Sequence, residues 1–336
     1  MKIAVRIPNW IGDAILSVPF INYLKSIYPD ADLFLVGRYA PLQVYVNFPN
    51  VKELIVIDDK NNGIIKTGLS LRKYNFDIFY ILADSLSSAV IAFLSSAKKR
   101  YGYRKEGRCV FLSKSLKLPD FKIHRAVKYL NILKINNNIS TPDSLTSNIY
   151  LTNQEIKQGK NILNNVIHDR SRKIIGINPN CSAESRKWPF EKFAALADIL
   201  SEKFNVIFFG SKDETEFVKS LIDRCKKKSS GYIINLAGMI TIREYIAVLK
   251  NLDLFITNDS GPMHLANAVF TPVIALEGPA DINETGALNK DAYIKYISKQ
   301  LECSPCVKNI CPLGHNNCMK LISVDEVVAA VSNFFD

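Results

Sequence analysis

Short apolar runs alternate with longer stretches of helical period along most of the chain. Lys2-Ile-Ala-Val-Arg-Ile-Pro8 reads as a buried strand that stops at a proline. After the turn Asn9-Trp10-Ile11-Gly12, residues 13–29 carry apolar side chains at helical spacing, with Pro19 marking a kink. Strand-like runs recur at 32–37, 52–58 and 76–82, each separated from the next by a helical segment. A polar, asparagine-rich stretch at 136–152 interrupts the rhythm, and the alternation then restarts.

In the second half, residues 173–179 form a strand and 189–203 a helix with proline in its first turn. Strand 205–210, helix 213–225 and the short run 234–238 follow. Thr241-Ile-Arg-Glu244 has the form of a capping box opening a helix. Strand 254–258, a helix starting at Gly261 and strand 272–278 complete the series.

Apolar, β-branched strands joined by helices call for a parallel sheet covered on both faces. Two such series with a polar connection predict an α/β chain of two Rossmann-like parallel-sheet domains. The length of 336 residues agrees with two domains. In such sheets ligands bind beyond the carboxyl ends of the strands, so the loops after them are expected to open toward one shared crevice.

The formal charge is +11, with the cations spread through both halves rather than gathered in a tail. That balance suits a soluble basic protein or an anionic partner: a phosphorylated small molecule, a nucleic acid or an acidic membrane surface. The first ten residues reach a proline and a tryptophan before any long apolar region develops, unlike a signal peptide. The most apolar window, residues 76–97, carries Asp77 and Asp84 and reads as strand plus helix, so no transmembrane segment is expected. The expected location is the cytoplasm, with room for peripheral contact with the inner membrane.

Thr257-Asn-Asp-Ser-Gly-Pro-Met-His-Leu-Ala266 runs from a buried strand into a helix that Asp259 or Ser260 is placed to cap. Free amides and the helix dipole make such a turn a phosphate site, with Gly261 admitting the anion and His264 one turn in. The plain alternative is an ordinary cap beside a surface histidine. Arg186 and Lys187 precede a helix, where either cation can meet a diphosphate or simply face water. Glu214, four residues after a strand, suits a ribose or a helix first turn. Asp13 is likewise a helix-start carboxylate or a general base. Standard G-x-G-x-x-G and P-loop patterns are absent.

Cys303, Cys306, Cys311, His315 and Cys318 form a C-x2-C-x4-C-x3-H-x2-C cluster, which can hold zinc or an iron–sulfur centre or remain reduced thiols.

Five blocks in order, at 9–19, 178–197, 235–269, 277–286 and 303–319, resemble the bacterial ADP-heptose:lipopolysaccharide heptosyltransferases of glycosyltransferase family 9, most closely the heptosyltransferase II branch. The glycine-acid turn and the "NDSGPMHLA" block mark the family, and the cysteine-histidine block the branch. The resemblance implies a GT-B fold, two domains facing across a cleft, and inverting transfer of L-glycero-D-manno-heptose from ADP-heptose to the lipopolysaccharide inner core. It implies domains at 1–165 (acceptor) and 166–322 (ADP-sugar), with a helix at 323–336 packing back on the first. By position, Asp13 matches the general base, with Asn9, Trp10 and Gly12 on the acceptor side. Asn178, Ser182, Glu214, Asp259, Ser260, Gly261 and His264 fall on the donor side, joined by Arg186 and Lys187 as catalytic charge partners.

Two positions depart from the family. Arg186 stands where a lysine is usual, with Lys187 one residue closer to the tryptophan, and Asn180 stands where glycine is common. The implied partners are an ADP-sugar and a phosphorylated core acceptor at the inner-membrane face, with no nucleic acid and no required cofactor; a structural metal at the cysteines stays open. Other readings are a GT-B enzyme or epimerase using another nucleotide sugar and, more distantly, a metal-bearing nucleic-acid or interaction module.

Overall fold

The computed structural model describes every residue except Lys60, Asn138, Thr141 and Asp143; the last three belong to the polar connection read from the sequence and lie outside the described residues. Two compact units emerge: Met1–Tyr150 with Asn283–Leu288, and Leu151–Ile282 with Asn289–Asp336.

Among the described residues the first unit holds six strands: β1 (Lys2–Arg6), β2 (Asp32–Gly37), β3 (Val51–Val56), β4 (Ile78–Ile81), β5 (Lys99–Tyr103) and β6 (Lys114–Leu116). They lie in the order β3-β2-β1-β4-β5-β6, parallel throughout. Ile3, Val5, Phe79 and Ile81 are fully buried in the central strands, as a sheet covered on both faces requires. The helix expected at 13–29 is two helices, Ile11–Leu16 and Val18–Ile27. Pro19 has no amide to continue the ladder and fits the first turn of the second helix, so the break falls at Ser17, whose hydroxyl bonds Ala14 O.

The second unit repeats the plan with β7 (Ile174–Asn178), β8 (Asn205–Phe208), β9 (Ile233–Asn235), β10 (Leu254–Asn258), β11 (Val273–Glu277) and β12 (Ile294–Ser298). Their order, β12-β11-β10-β7-β8-β9, is the same 3-2-1-4-5-6 winding. The capping box read at Thr241 and Glu244 forms in both directions at the head of helix Ile242–Leu249.

Three boundaries differ from the expectation. Helix Asn153–Val166 belongs to the second unit, because Gly159 lets it approach the backbone of Ala247, where a Cβ would stand under 3.0 Å away, and Glu155 pairs with Arg243 at 2.6 Å. The final helix, Val324–Phe335, also belongs to the second unit: Val327, Ala330 and Val331 sit in its core beside Trp188 and Phe193. Its apolar stripe is thereby satisfied within that unit. Residues 283–288 fall to the first unit, where Gly286 O meets His124 Nε2 at 3.1 Å and Glu284 pairs with Lys122 at 3.2 Å. Among the described residues no helix is long and apolar enough to cross a membrane.

Candidate active site

Each sheet reverses its winding at one point, between β1 and β4 in the first unit and between β7 and β10 in the second. Such switch points splay the connecting loops apart and leave room for a ligand. Asp13 follows β1 at the first of these points, Arg186 and Asp259 follow β7 and β10 at the second, and Glu214 lies one strand away, after β8.

In the first unit Asp13 lies in the first turn of the helix after β1, and Asp84 follows β4. Arg125 NH1 reaches Asp13 Oδ1 at 3.1 Å, and Lys128 Nζ reaches Asp84 Oδ2 at 2.8 Å. Burial pushes the Asp13 carboxyl up, Arg125 opposes that rise, and the neighbouring charge of Asp84 adds to it. Burial acts on Asp84 in the same sense, but Lys128 holds it below the usual range. The two neighbouring carboxyls are therefore shifted in opposite directions. Tyr129, fully buried, is held well above its ordinary value by the same burial and by Asp13. Asn9 accepts a 2.6 Å hydrogen bond from Arg6, which fixes the turn; Trp10 stands exposed and Gly12 half-buried beside Asp13.

In the second unit helix Gly261–Ala268 starts immediately after β10, with Pro262 in its first turn. The structure places Ser260 at the cap, yet its hydroxyl makes no capping bond and is buried without a hydrogen-bond partner. Asp259 Oδ2 is also buried without a hydrogen bond; Arg186 NH1 stands 3.5 Å from it and 3.5 Å from Asp259 O. Both contacts lie at the outer limit of hydrogen bonding, so the guanidinium keeps N–H groups for an arriving anion. The unpartnered Ser260 hydroxyl beside a helix amino end and an arginine suits an anionic ligand. His264 is buried one turn into the same helix.

Lys187 turns elsewhere, pairing with Glu184 at 2.6 Å. Of the two cations, Arg186 is the one beside Asp259 at the helix terminus. Glu214 Oε2 accepts the Ser211 amide at 2.7 Å in a capping box, the helix-start role weighed for it. Asn178 ends β7, buried, its Oδ1 taking the Asn180 amide at 3.1 Å; Ser182 is exposed on the same loop.

Several residues of these sites were not singled out from sequence. Asn258 accepts the Trp188 amide at 3.1 Å and donates to Pro179 O at 2.8 Å, stapling the Arg186 loop to the end of β10. Glu277, buried at the end of β11, is pushed up to about 7 by burial first and then by Asp259 and Asp281. A charged residue closing an apolar strand is the signal that could have found Glu277, and Asp84 after β4 has the same form. Arg125 and Lys128 carry no local signal.

The cysteine block has a clear mechanical place. Cys303, Cys306, Cys311, Cys318 and His315 line a small cavity of about 20 Å³ together with Ser185 and Pro279. Ser185 N bonds Asn309 O, Ser304 Oγ bonds Gly278 O and Val307 N bonds Pro279 O, so this segment braces the loops after β7 and β11. All four thiols are free, and His315 Nδ1 accepts the Asn317 amide at 3.0 Å. Among the described residues no three Cys, His, Asp or Glu side chains are disposed to hold a metal ion.

Two doubly wound units, each built on a six-stranded parallel sheet, have the GT-B architecture of glycosyltransferases. Residues 64–316 match the family profile described as glycosyltransferase family 9 (heptosyltransferase), and the chain belongs to that family. It is 28% identical to lipooligosaccharide heptosyltransferase 2 of Campylobacter jejuni over 99% of this chain and 98% of that protein. Against lipopolysaccharide heptosyltransferase 2 of Escherichia coli the figure is 26%, over 88% and 87%. The solved structure of E. coli ADP-heptose lipopolysaccharide heptosyltransferase II superposes with a TM-score of 0.83 at 23% identity, over 99% and 98%.

Proposed function

We propose that this glycosyltransferase moves L-glycero-D-manno-heptose from ADP-heptose to a hydroxyl of the lipopolysaccharide inner core, with inversion, as a heptosyltransferase II. The observation that carries the reading is Arg186 at the amino end of the helix after β10, where an ADP diphosphate finds an arginine, backbone amides and the unpartnered Ser260 hydroxyl. Asp13 takes the proton of the acceptor hydroxyl, and that oxygen forms the new bond to the anomeric carbon as the bond to ADP breaks. The negative charge growing on the leaving diphosphate is met by Arg186 and the helix start, so these groups act most strongly in the transition state.

Arg125 keeps Asp13 ionised, and the fixed turn holding Asn9 presents Trp10 and Gly12 to the acceptor. On the donor side Asn178, Ser182, Ser260, Gly261 and His264 surround the ADP-sugar, and Glu214 receives the ribose through the carboxylate that also caps its helix. The acceptor is a phosphorylated glycolipid, and the enzyme works at the inner face of the membrane that holds it.

The test is mass-spectrometric detection of transfer from ADP-L-glycero-D-manno-heptose to mono-heptosylated Kdo2-lipid A, with Asp13→Ala alongside. One heptose added by the native chain, none by the variant, and equal donor affinity in both is the expected result. Donor binding without transfer would overturn the acceptor assignment; absence of donor binding would overturn the donor.

A further inference from the structure

Helix Arg125–Asn131 carries the two cations that set the acids of the first unit: Arg125 reaches Asp13 at 3.1 Å and Lys128 reaches Asp84 at 2.8 Å. Its seven residues are too few to hold a place by helix formation alone, and Arg125, the first of them, sets a cation against the positive end of the helix dipole. Whatever fixes this helix start also fixes how Arg125 meets Asp13. The residue at the cap is His124, where serine, threonine, aspartate or asparagine usually stands.

His124 is bonded at both ring nitrogens. Nδ1 accepts the Ala126 amide at 3.2 Å, which closes the cap, and Nε2 lies 3.1 Å from the buried carbonyl of Gly286. A carbonyl only accepts, so the ring carries its proton on Nε2, and the two bonds together hold its plane. Gly286 lies in the stretch 283–288, which belongs to the first unit although its flanks, Ile282 and Asn289, belong to the second. Lys122 ties the same stretch again through Glu284 at 3.2 Å. The far flank is fastened in turn: Asn289 and Asn267, on helix Gly261–Ala268, share three hydrogen bonds of 3.0 Å. The carbonyl that His124 meets is therefore a fixed post. The charges around the ring come as pairs, Lys122 with Glu284, Arg125 with Asp13 and Lys128 with Asp84.

We propose that His124 is a positioning residue for heptosyl transfer: braced on the Gly286 carbonyl, it holds the start of helix Arg125–Asn131 so that the Arg125 guanidinium stays on Asp13. Tyr129, one turn along, also hydrogen-bonds that guanidinium, which fixes its outer end; the backbone end is left to His124. A retreat of the helix start by ~1 Å would carry the 3.1 Å contact past hydrogen-bonding range, and with it the charge-assisted bond that keeps Asp13 ionised. The inference rests on the reading of Asp13 as the base and adds to it a residue that never touches substrate and acts through Arg125.

The experiment follows initial-rate transfer from ADP-heptose across pH for the full chain carrying His124→Asn, Arg125→Gln or both. Asparagine keeps a cap on the Ala126 amide but is too short to reach Gly286 O, so His124→Asn should melt close to the native chain. Its acidic limb of kcat/KM should move up by about half a pH unit, roughly threefold in rate on that limb, with ADP affinity and the rate above the limb unchanged. In the Arg125→Gln background the same substitution should add almost nothing, since both act through one contact. A limb that stays in place in His124→Asn, a loss equal at every pH, or a full further shift in the double variant overturns the proposal. A second readout needs no variant: ¹⁵N NMR of the native imidazole at pH 8 should place the proton on Nε2, and a proton on Nδ1 overturns it. If Arg125→Gln moves the limb and His124→Asn does not, the assignment of His124 alone falls; if neither moves it and Asp13→Ala still transfers, the reading of Asp13 as base falls as well.

Discussion

Replacing Arg125 with glutamine tests how the half-buried Asp13 carboxyl is kept ionised. Asp13 is raised by burial, lowered by Arg125 at 3.1 Å and raised again by Asp84. A charge-assisted hydrogen bond contributes ~1.5–3 kcal/mol, and about 1.4 kcal/mol corresponds to one pH unit. The Arg125 side chain is 35% exposed and that of Asp13 20%, so water screens part of the attraction and the lower figure applies. Arg125→Gln should therefore raise the apparent pKa of Asp13 by about one unit. The base must be ionised to work, so the acidic limb of the kcat/KM profile moves about one unit to higher pH. On that limb the variant loses roughly tenfold, and well above it the rate returns toward the native value. The assay is initial-rate transfer across pH with sub-saturating acceptor, and Arg125→Lys should restore most of the native limb. A loss equal at every pH, or a limb that does not move, would refute the argument that Arg125 acts through the ionisation of Asp13.

Three further substitutions probe the second unit. Glu277 sits well above its ordinary carboxyl value, at about 7, so the folded state holds a proton that the unfolded chain gives up between pH 4.5 and 7. Stability contributed by this site therefore falls as pH rises through that window, and Glu277→Gln should raise Tm relative to the native chain at pH 8 and leave it nearly unchanged at pH 4.5. The gain is on the order of 3 kcal/mol at most; thermal melts at the two pH values decide it, and a gain confined to low pH would contradict the assignment. Arg186→Ala should weaken ADP binding by roughly tenfold or more and Lys187→Ala by far less, measured by calorimetry; the reverse order would place the diphosphate on Lys187.

Much of this architecture is legible in the apolar pattern because both sheets are parallel and buried on both faces. Their strands read as unbroken runs such as Leu254–Asn258, and the only partner each run can have is another like it. Cap chemistry was equally visible where it is local, as at Thr241 and Glu244. The boundaries were not, because they depend on long-range packing. Gly159 looks like a weak point in a helix until Ala247 is placed against it, and the terminal helix has one apolar stripe that either unit could have satisfied. The same limit applies to the site. Asp13, Arg186 and Asp259 lie in the segments that follow β1, β7 and β10 and can be picked as candidates by position, whereas Arg125 reaches Asp13 across 112 residues of sequence.

Every group that tunes Asp13 comes from the first unit, and every group that frames Asp259 comes from the second. The chain therefore divides its chemistry into two separately heritable halves. On the proposed assignment, changes that refit the first half to a new acceptor leave the second half's hold on the nucleotide intact, and substitutions drawn from opposite halves should combine almost additively in their effect on folding. A lineage could then diversify what it glycosylates while conserving the currency it uses.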